Sequence, residues 1–188
     1  KFLSKYFSKG DYSKIKSIYL GILKIVIPIS VLLSIFLYIF RFNLAETVFD
    51  KPNLEIGLMY VILCILPLCF VYIHSESLRG IKKVELYSIL KYLLIPFFSV
   101  ILLLLFNNSD NVYIPFLSYF LAILITSMLS FLLWTYKSKF FKTKINYCSN
   151  NNILKYSFSF FISSSMLFLL QWIDIIFLGY FKSSLEVG

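Results

Sequence analysis

The sequence predicts an all-α integral membrane protein with five transmembrane helices. Of its 188 residues, 60% are hydrophobic and only 14% are charged, and the apolar residues are concentrated in long runs. A soluble domain has roughly 45–50% apolar and about 25% charged residues, and a chain of this length has no core large enough to hide so much apolar surface. Disorder is excluded because it requires low hydrophobicity and high charge.

Five apolar runs are long enough for a membrane-spanning helix, which needs about 20 residues. Barrel strands are excluded because they are about ten residues long and alternate strictly, whereas the run ILLLLF at 101–106 is continuously apolar. The short polar turn at 107–111 indicates that the third and fourth spans are antiparallel neighbours. We predict spans at about 18–40, 56–73, 86–106, 112–136 and 156–181.

The chain carries 18 lysines and arginines against nine acidic residues. A nucleic-acid partner is not expected, because such a binder collects its cations on one patch and here they lie between apolar runs. Thirteen of them fall in alternate segments: the N-terminus, the loop after the second span and residues 137–155. The intervening segments hold three. Basic loops stay in the cytoplasm, so the N-terminus is predicted to be cytoplasmic and Gly188 to lie outside.

The organisation of the chain suggests an internal piece of a longer protein. It begins with Lys1 rather than Met, shows no signal-peptide pattern, and stops just past an apolar run. Residues 137–155 form the longest polar segment, which is basic and rich in Asn. That composition predicts a cytoplasmic linker between a block of four spans, 1–136, and the fifth span in 156–188.

Neither a catalytic nor a metal site is predicted. Cys64, Cys69 and Cys148 form no CxxC pair and have no nearby His at zinc spacing. The sequence also lacks the GxGxxG, P-loop, GxSxG and HExxH motifs. We therefore expect no disulfide, no metal and no bound cofactor, and a function other than bond-breaking chemistry.

Each span carries polar residues along one stripe when it is drawn as a helix of 100° per residue. Stripes of this kind either pack helices against one another or line a polar cavity. The stripe residues are Ser17, Gly21, Lys24, Pro28 and Tyr38 in span one; Tyr60, Cys64, Pro67 and His74 in span two; Ser88, Lys91, Tyr92 and Ser99 in span three; Tyr119, Thr126 and Ser130 in span four; and Ser157, Ser163, Ser164, Gln171 and Asp174 in span five.

Asp174 is the most informative polar residue of the fifth span. An ionised carboxylate at the centre of a membrane helix costs about 2.5–3.5 kcal/mol, so it needs a compensating environment. One interpretation is a carboxyl group satisfied by a neighbouring helix or by water at the outer rim. The other is a protonatable or cation-binding site that faces a cavity together with Gln171.

Lys24 and Lys91 lie within about two helical turns of the predicted cytoplasmic interface. Both can extend their ammonium groups to that interface. Alternatively, they present positive charge to an anionic head group, for which Lys is a point-charge phosphate binder. For His74 and Glu76, at the predicted end of span two, a satisfied interfacial role is favoured over a proton relay.

Several stretches resemble the polysaccharide flippases of the multidrug/oligosaccharidyl-lipid/polysaccharide exporter superfamily, the MATE-like O-antigen transporter type. YFSKGDY at 6–12 resembles the loop before that family's third helix, and SLRGIKK at 77–83 resembles the loop between its fourth and fifth helices. The most specific stretches are QWIDIIFLGYF at 171–181 and EVG at 186–188, which resemble its seventh helix.

The resemblance implies that the five spans are helices three to seven of a two-lobe transporter of twelve or fourteen helices. Residues 1–136 would end the first lobe, and 156–188 would begin the second. It implies alternating access in a bacterial cytoplasmic membrane, an undecaprenyl-pyrophosphate-linked oligosaccharide as substrate and coupling to an H⁺ or Na⁺ gradient. Other polysaccharide-assembly proteins would be partners. The pathway candidates are then Asp174, Gln171, Lys24, Lys91 and Arg79.

Other functions fit parts of the same pattern. A cation-coupled drug exporter of the superfamily would favour an acidic cavity, whereas Lys24 and Lys91 favour an anionic substrate. A lipid II flippase is a second relative. A membrane glycan enzyme would need a larger extramembrane loop than the roughly 20 residues available here, and a non-catalytic membrane subunit would have little need for Asp174.

Overall fold

A computed structural model of the protein describes residues 2–50, 54–106, 113–143, 162–173 and Phe177. The described residues form helices and contain no β-strand. The helices are α1 (Phe2–Ser8), α2 (Tyr12–Asn43), α3 (Leu54–Gly80), α4 (Val84–Ser88), α5 (Leu94–Leu105), α6 (Ile114–Lys137) and α7 (Ile162–Ile173). The π-helical turn Leu44–Val48 extends α2, the π-helical turn Ile89–Leu93 joins α4 to α5, and the 3-10 turn Phe140–Lys142 follows α6.

Four helical segments are long and apolar enough to cross a membrane: Tyr12–Val48, Leu54–Gly80, Val84–Leu105 and Ile114–Lys137. They confirm the predicted fold class, an all-α membrane protein, and correspond to the first four predicted spans. The described part of the fifth span is the shorter apolar helix α7. Apart from Phe177, the remainder of that span, including Asp174, lies outside the described residues. The predicted turn at 107–111 and the linker from 144 onward also lie outside them.

Two helices extend beyond the predicted spans. The predicted second span ends at residue 73, whereas α3 continues to Gly80. The predicted first span begins near residue 18, whereas α2 begins at Tyr12. Apolar runs mark only the part of a helix that lies in hydrocarbon, whereas backbone hydrogen bonding continues through polar residues. The start of α2 is set by Asp11, whose side chain accepts the Lys14 backbone N–H at 3.2 Å.

The long helices are arranged in the order α2, α3, α6, α5. Helix α3 packs against α2 and α6, and α6 also packs against α5. Tyr19 of α2, near its beginning, contacts His74 near the end of α3 and Trp134 near the end of α6. The start of α2 and the ends of α3 and α6 therefore share one end of the bundle, which we call the basic end because the described lysines other than Lys24 and Lys91 lie there.

A buried hydrophobic cluster of the described residues lies at the basic end. It consists of Ile15, Tyr19, Leu78, Ile81, Leu90 and Trp134. Toward the other end, α2 and α5 expose apolar side chains, with Leu32 of α2 67% exposed and Leu104 of α5 71% exposed. Side chains of this type are stable there only in contact with lipid or with further apolar helices.

The interface between α3 and α6 contains aromatic pairs, such as Tyr60 with Phe116, and small residues, such as Ser130 beside His74. On α6, four fully buried residues spaced four apart follow one face: Ser118, Ala122, Thr126 and Ser130. Thr126 and Ser130 were predicted to share a stripe, but Tyr119, assigned to the same stripe, is 47% exposed. The spacing of four keeps residues on one helical face, whereas Tyr119 is displaced from Ser118 by about 100°. Small side chains allow the two helices to approach closely.

Candidate functional site

Two of the predicted pathway residues, Arg79 and Lys91, meet at Glu76. The Lys91 ammonium lies 2.9 Å from Glu76 Oε1, and an Arg79 guanidinium nitrogen lies 2.6 Å from Glu76 Oε2. Glu76 and Arg79 are three residues apart on α3, so they share a helical face. Lys91 reaches the same carboxylate from the π-helical turn between α4 and α5. The cluster thus carries two positive charges and one negative charge.

Tyrosine side chains surround the Lys91 ammonium. It donates a hydrogen bond to the Tyr87 hydroxyl at 3.1 Å and lies 5.1–5.6 Å from the ring centroids of Tyr72, Tyr87 and Tyr92. The Arg79 guanidinium lies 4.9 Å from the Tyr87 ring centroid. Aromatic faces attract cations at these separations, so the tyrosines hold both cations near Glu76. The Lys91 side chain remains 22% exposed.

The backbone that carries Lys91 departs from a regular helix. In the π-helical turn Ile89–Leu93, the Leu94 N–H bonds to the Ile89 carbonyl, five residues earlier. Pro96 follows in the first turn of α5, where its missing N–H is tolerated. In an uninterrupted α-helix, the Pro96 ring would instead clash with the Tyr92 carbonyl. Short π-helical insertions are rare and occur frequently at functional sites.

The other predicted pathway residues are not brought to Glu76 in the same way. Lys24 is exposed on α2, which packs against α3 rather than against the turn that carries Lys91. Gln171 is exposed on α7. Asp174 lies outside the described residues, so the predicted pairing of the fifth span with a cavity stays a prediction.

A second polar group, centred on His74, joins three helices. His74 is fully buried inside α3, six residues before the helix ends. Its Nε2 lies 2.8 Å from the Tyr19 hydroxyl of α2, and its Nδ1 lies 2.7 Å from Ser130 Oγ of α6. Because α3 continues to Gly80, His74 lies among packed helices rather than at a helix terminus.

The donors in the His74 group can be assigned from the hydroxyl of Ser130. This hydroxyl donates to the Ser127 carbonyl at 2.8 Å, so its oxygen accepts from His74 Nδ1–H. Neutral imidazole then offers Nε2 as an acceptor for the Tyr19 hydroxyl. Every polar atom of the His74 ring is satisfied in this arrangement, which suits a fixed link between helices.

Nearby, Trp134 Nε1 is buried and has no hydrogen-bond acceptor among the described residues.

Sequence reasoning did not find the partners of His74 or the pairing of Lys91 with Glu76. Tyr19 and Ser130 are separated from His74 by 55 and 56 residues, and Glu76 from Lys91 by 15. The available signal was that His74 is the single histidine of the chain and that Glu76 precedes a basic loop.

At the opposite end of the bundle, Arg41 pairs with Glu55 at 3.1 Å.

Across the described ranges, no three His, Cys, Asp or Glu side chains come together as a metal site. Cys64 and Cys69 are free thiols within α3, and Cys148 lies outside those ranges.

The fold defines the class of the molecule as an all-α, multi-pass membrane protein. Comparisons with models of protein families, with curated proteins and with solved structures find no match to the chain.

Proposed function

We propose that this chain is part of a flippase that moves undecaprenyl-pyrophosphate-linked oligosaccharides outward across a bacterial cytoplasmic membrane. The transporter would work by alternating access and supply repeat units for polysaccharide, O-antigen or capsule synthesis. The basic end faces the cytoplasm in this proposal, as expected from the distribution of lysines. Coupling to an H⁺ or Na⁺ gradient, contact with other polysaccharide-assembly proteins and the two-lobe architecture are parts of the same proposal.

The observation that carries the proposal is the convergence of Arg79 and Lys91 on Glu76. A lipid-linked oligosaccharide presents a pyrophosphate at the level where its polar head meets the hydrocarbon. The cluster has an excess of one positive charge, and Lys91 is partly accessible. A pyrophosphate can therefore compete with Glu76 for both cations, and release of the anion restores the ion pairs. Such exchange binds a substrate without breaking a covalent bond.

The sequence resemblance supports the same function. Arg79 belongs to the SLRGIKK stretch at 77–83, and QWIDIIFLGYF at 171–181 resembles the seventh helix of the flippases. Residues 171–173 of the second stretch form the end of α7.

Deletion of the gene and complementation with the wild-type gene tests the proposal. We expect the deletion strain to lose its surface polysaccharide and to accumulate lipid-linked repeat units in the inner leaflet, while drug sensitivity and peptidoglycan synthesis stay unchanged. Surface polysaccharide that persists in the deletion strain would contradict the proposal. Drug hypersensitivity would instead indicate the exporter, and accumulation of lipid II would indicate the lipid II flippase.

A further inference from the structure

A basic pocket lies at the turn between α3 and α4, apart from the Glu76 cluster. It has a volume of about 390 Å³ and is lined by Lys82, Lys83, Val84, Glu85, Leu86 and Lys137. Three ammonium groups and one carboxylate therefore surround it. Among the described residues, no carboxylate forms an ion pair with Lys82, Lys83 or Lys137. The pocket thus has positive charge available for an anionic ligand.

An apolar groove lies along the end of α6. It has a volume of about 840 Å³ and is lined by Leu132, Thr135, Tyr136, Lys137, Lys139 and Phe141. Tyr136 and Phe141 are 77% and 78% exposed, so the groove opens onto the outer surface of the bundle. Lys137 lines both the pocket and the groove, so the two are neighbours.

The backbone at Lys82 adds an independent observation. Helix α3 ends in a Schellman motif, in which the Lys83 N–H bonds to the Leu78 carbonyl and the Lys82 N–H bonds to the Arg79 carbonyl. The residue at the position of Lys82 is usually Gly, because its φ is positive; here φ is 63°. The conformation is unfavourable for a residue other than glycine. Glycine would fit this backbone better, but it would remove a cation from the pocket.

From these features we propose that the pocket and groove bind one anionic phospholipid of the surrounding bilayer. The phosphate of its head group lies among Lys82, Lys83 and Lys137, and an acyl chain lies along Leu132, Tyr136 and Phe141. Charge complementarity selects the head group, and the apolar groove distinguishes a lipid from a free phosphate. Basic pockets between membrane helices are known to take anionic lipid head groups. The site is separate from the proposed transport pathway and does not depend on it.

Native mass spectrometry of the full chain in detergent tests this site. The probes are phosphatidylglycerol and phosphatidylcholine with the same acyl chains. We expect the wild-type protein to retain one phosphatidylglycerol at concentrations at which phosphatidylcholine is lost. Each lysine near an anionic head group contributes about a fivefold change in affinity. Lys82→Gly and Lys137→Gln should therefore each weaken phosphatidylglycerol retention by about fivefold.

Matched controls separate the pocket from general surface charge. Lys5→Gln and Lys9→Gln remove charges from the same end of the bundle but outside the pocket, and should leave retention within about twofold of wild type. Lys82→Gly should also keep or raise the melting temperature, since glycine suits the positive φ, so weaker retention is then not a folding defect. Phe141→Ala should weaken retention, whereas Phe97→Ala on α5 should not.

Several results would overturn the proposal. One is equal retention of the two phospholipids by the wild-type chain, and another is an equal loss in the Lys5→Gln and Lys82→Gly variants. Displacement of phosphatidylglycerol by millimolar inorganic phosphate would identify a phosphate site without a role for the acyl chain. Preferential retention of undecaprenyl phosphate would assign the pocket to a polyprenyl lipid rather than to a bilayer phospholipid.

Discussion

At the scale of single residues, His74 is the side chain on which the packing of three helices depends. Its two ring nitrogens bind Tyr19 of α2 and Ser130 of α6 while the ring itself belongs to α3. A buried polar group that loses its partner keeps the cost of desolvation. The three residues therefore act as one unit, and removing the ring leaves two hydroxyl groups without their partner.

We predict that His74→Ala lowers the free energy of unfolding by about 2–4 kcal/mol, because it creates a cavity and removes the partner of both hydroxyls. Tyr19→Phe should cost about 1 kcal/mol. The measurement is thermal unfolding in detergent followed by circular dichroism. Tyr119→Phe is the matched control, since Tyr119 is exposed, and should change stability by less than about 0.5 kcal/mol. Equal effects of the two tyrosine substitutions would contradict the assigned network.

The sequence could predict the existence of polar residues in the spans but not their partners. Lys91 was recognised as a cation near an interface, and Arg79 through the resemblance of its loop. Arg79 reaches Glu76 within α3, whereas Lys91 reaches it from a π-helical turn. Drawing the third span as a regular helix of 100° per residue omits this turn. The residues that follow the turn are then assigned to the wrong face of the helix.

At the scale of elements, the small-residue face of α6 is fully buried among the packed helices. Ala122 is fully buried on this face, and the Thr126 hydroxyl donates to the Ala122 carbonyl at 2.8 Å. Two residues of the predicted polar stripe, Thr126 and Ser130, do face a neighbouring helix. The apolar Ala122 could not be found by looking for polar residues, although its size is what permits the close approach.

Ala122→Leu should lower the free energy of unfolding by about 1–3 kcal/mol, because the added atoms separate two packed helices. Ser127→Leu enlarges a less buried position of the same helix and should cost clearly less. Melting temperatures of the two variants in the same detergent make the comparison. A Ser127→Leu variant as unstable as Ala122→Leu would show that the α3–α6 contact is not limited by the small-residue face.

The π-helical turn Ile89–Leu93 gives a second prediction for elements. Deletion of Leu93 should convert the turn into α-helix and rotate Lys91 by about 100° relative to α5. Either the Lys91–Glu76 pair or the α5–α6 contact is then lost, so the melting temperature falls. Leu93→Ala is the control, because Leu93 is 57% exposed. If the deletion is no more damaging than Leu93→Ala, the π-helical turn has no role in positioning Lys91.

At the scale of the whole molecule, the helices place nearly all described cations at one end. The segments predicted to lie on one side of the membrane do share the basic end, where the start of α2 approaches the ends of α3 and α6. This arrangement was predictable because apolar runs and loop charges are local features of a sequence. The basic pocket was not, since Lys82 and Lys137 come from segments far apart in the chain.

Cysteine labelling of intact cells tests the orientation of the molecule. In a background with Cys64, Cys69 and Cys148 replaced by serine, Asp50→Cys should react with a membrane-impermeant maleimide from outside. Lys9→Cys should react only after the membrane is permeabilised, because the basic end is expected to be cytoplasmic. External labelling of Lys9→Cys would reverse the proposed orientation.

The central claim, that the protein translocates an anionic lipid-linked oligosaccharide through contacts that include Lys91, is tested most directly in liposomes. The complete gene product is reconstituted, and transfer of undecaprenyl-pyrophosphate-linked oligosaccharide between leaflets is followed by its accessibility to an external lectin. We predict transfer by the wild-type protein, a loss of rate of about tenfold or more with Lys91→Gln, and an unchanged rate with Lys5→Gln. Absence of transfer by the wild-type protein, or an unchanged rate with Lys91→Gln, would contradict the claim.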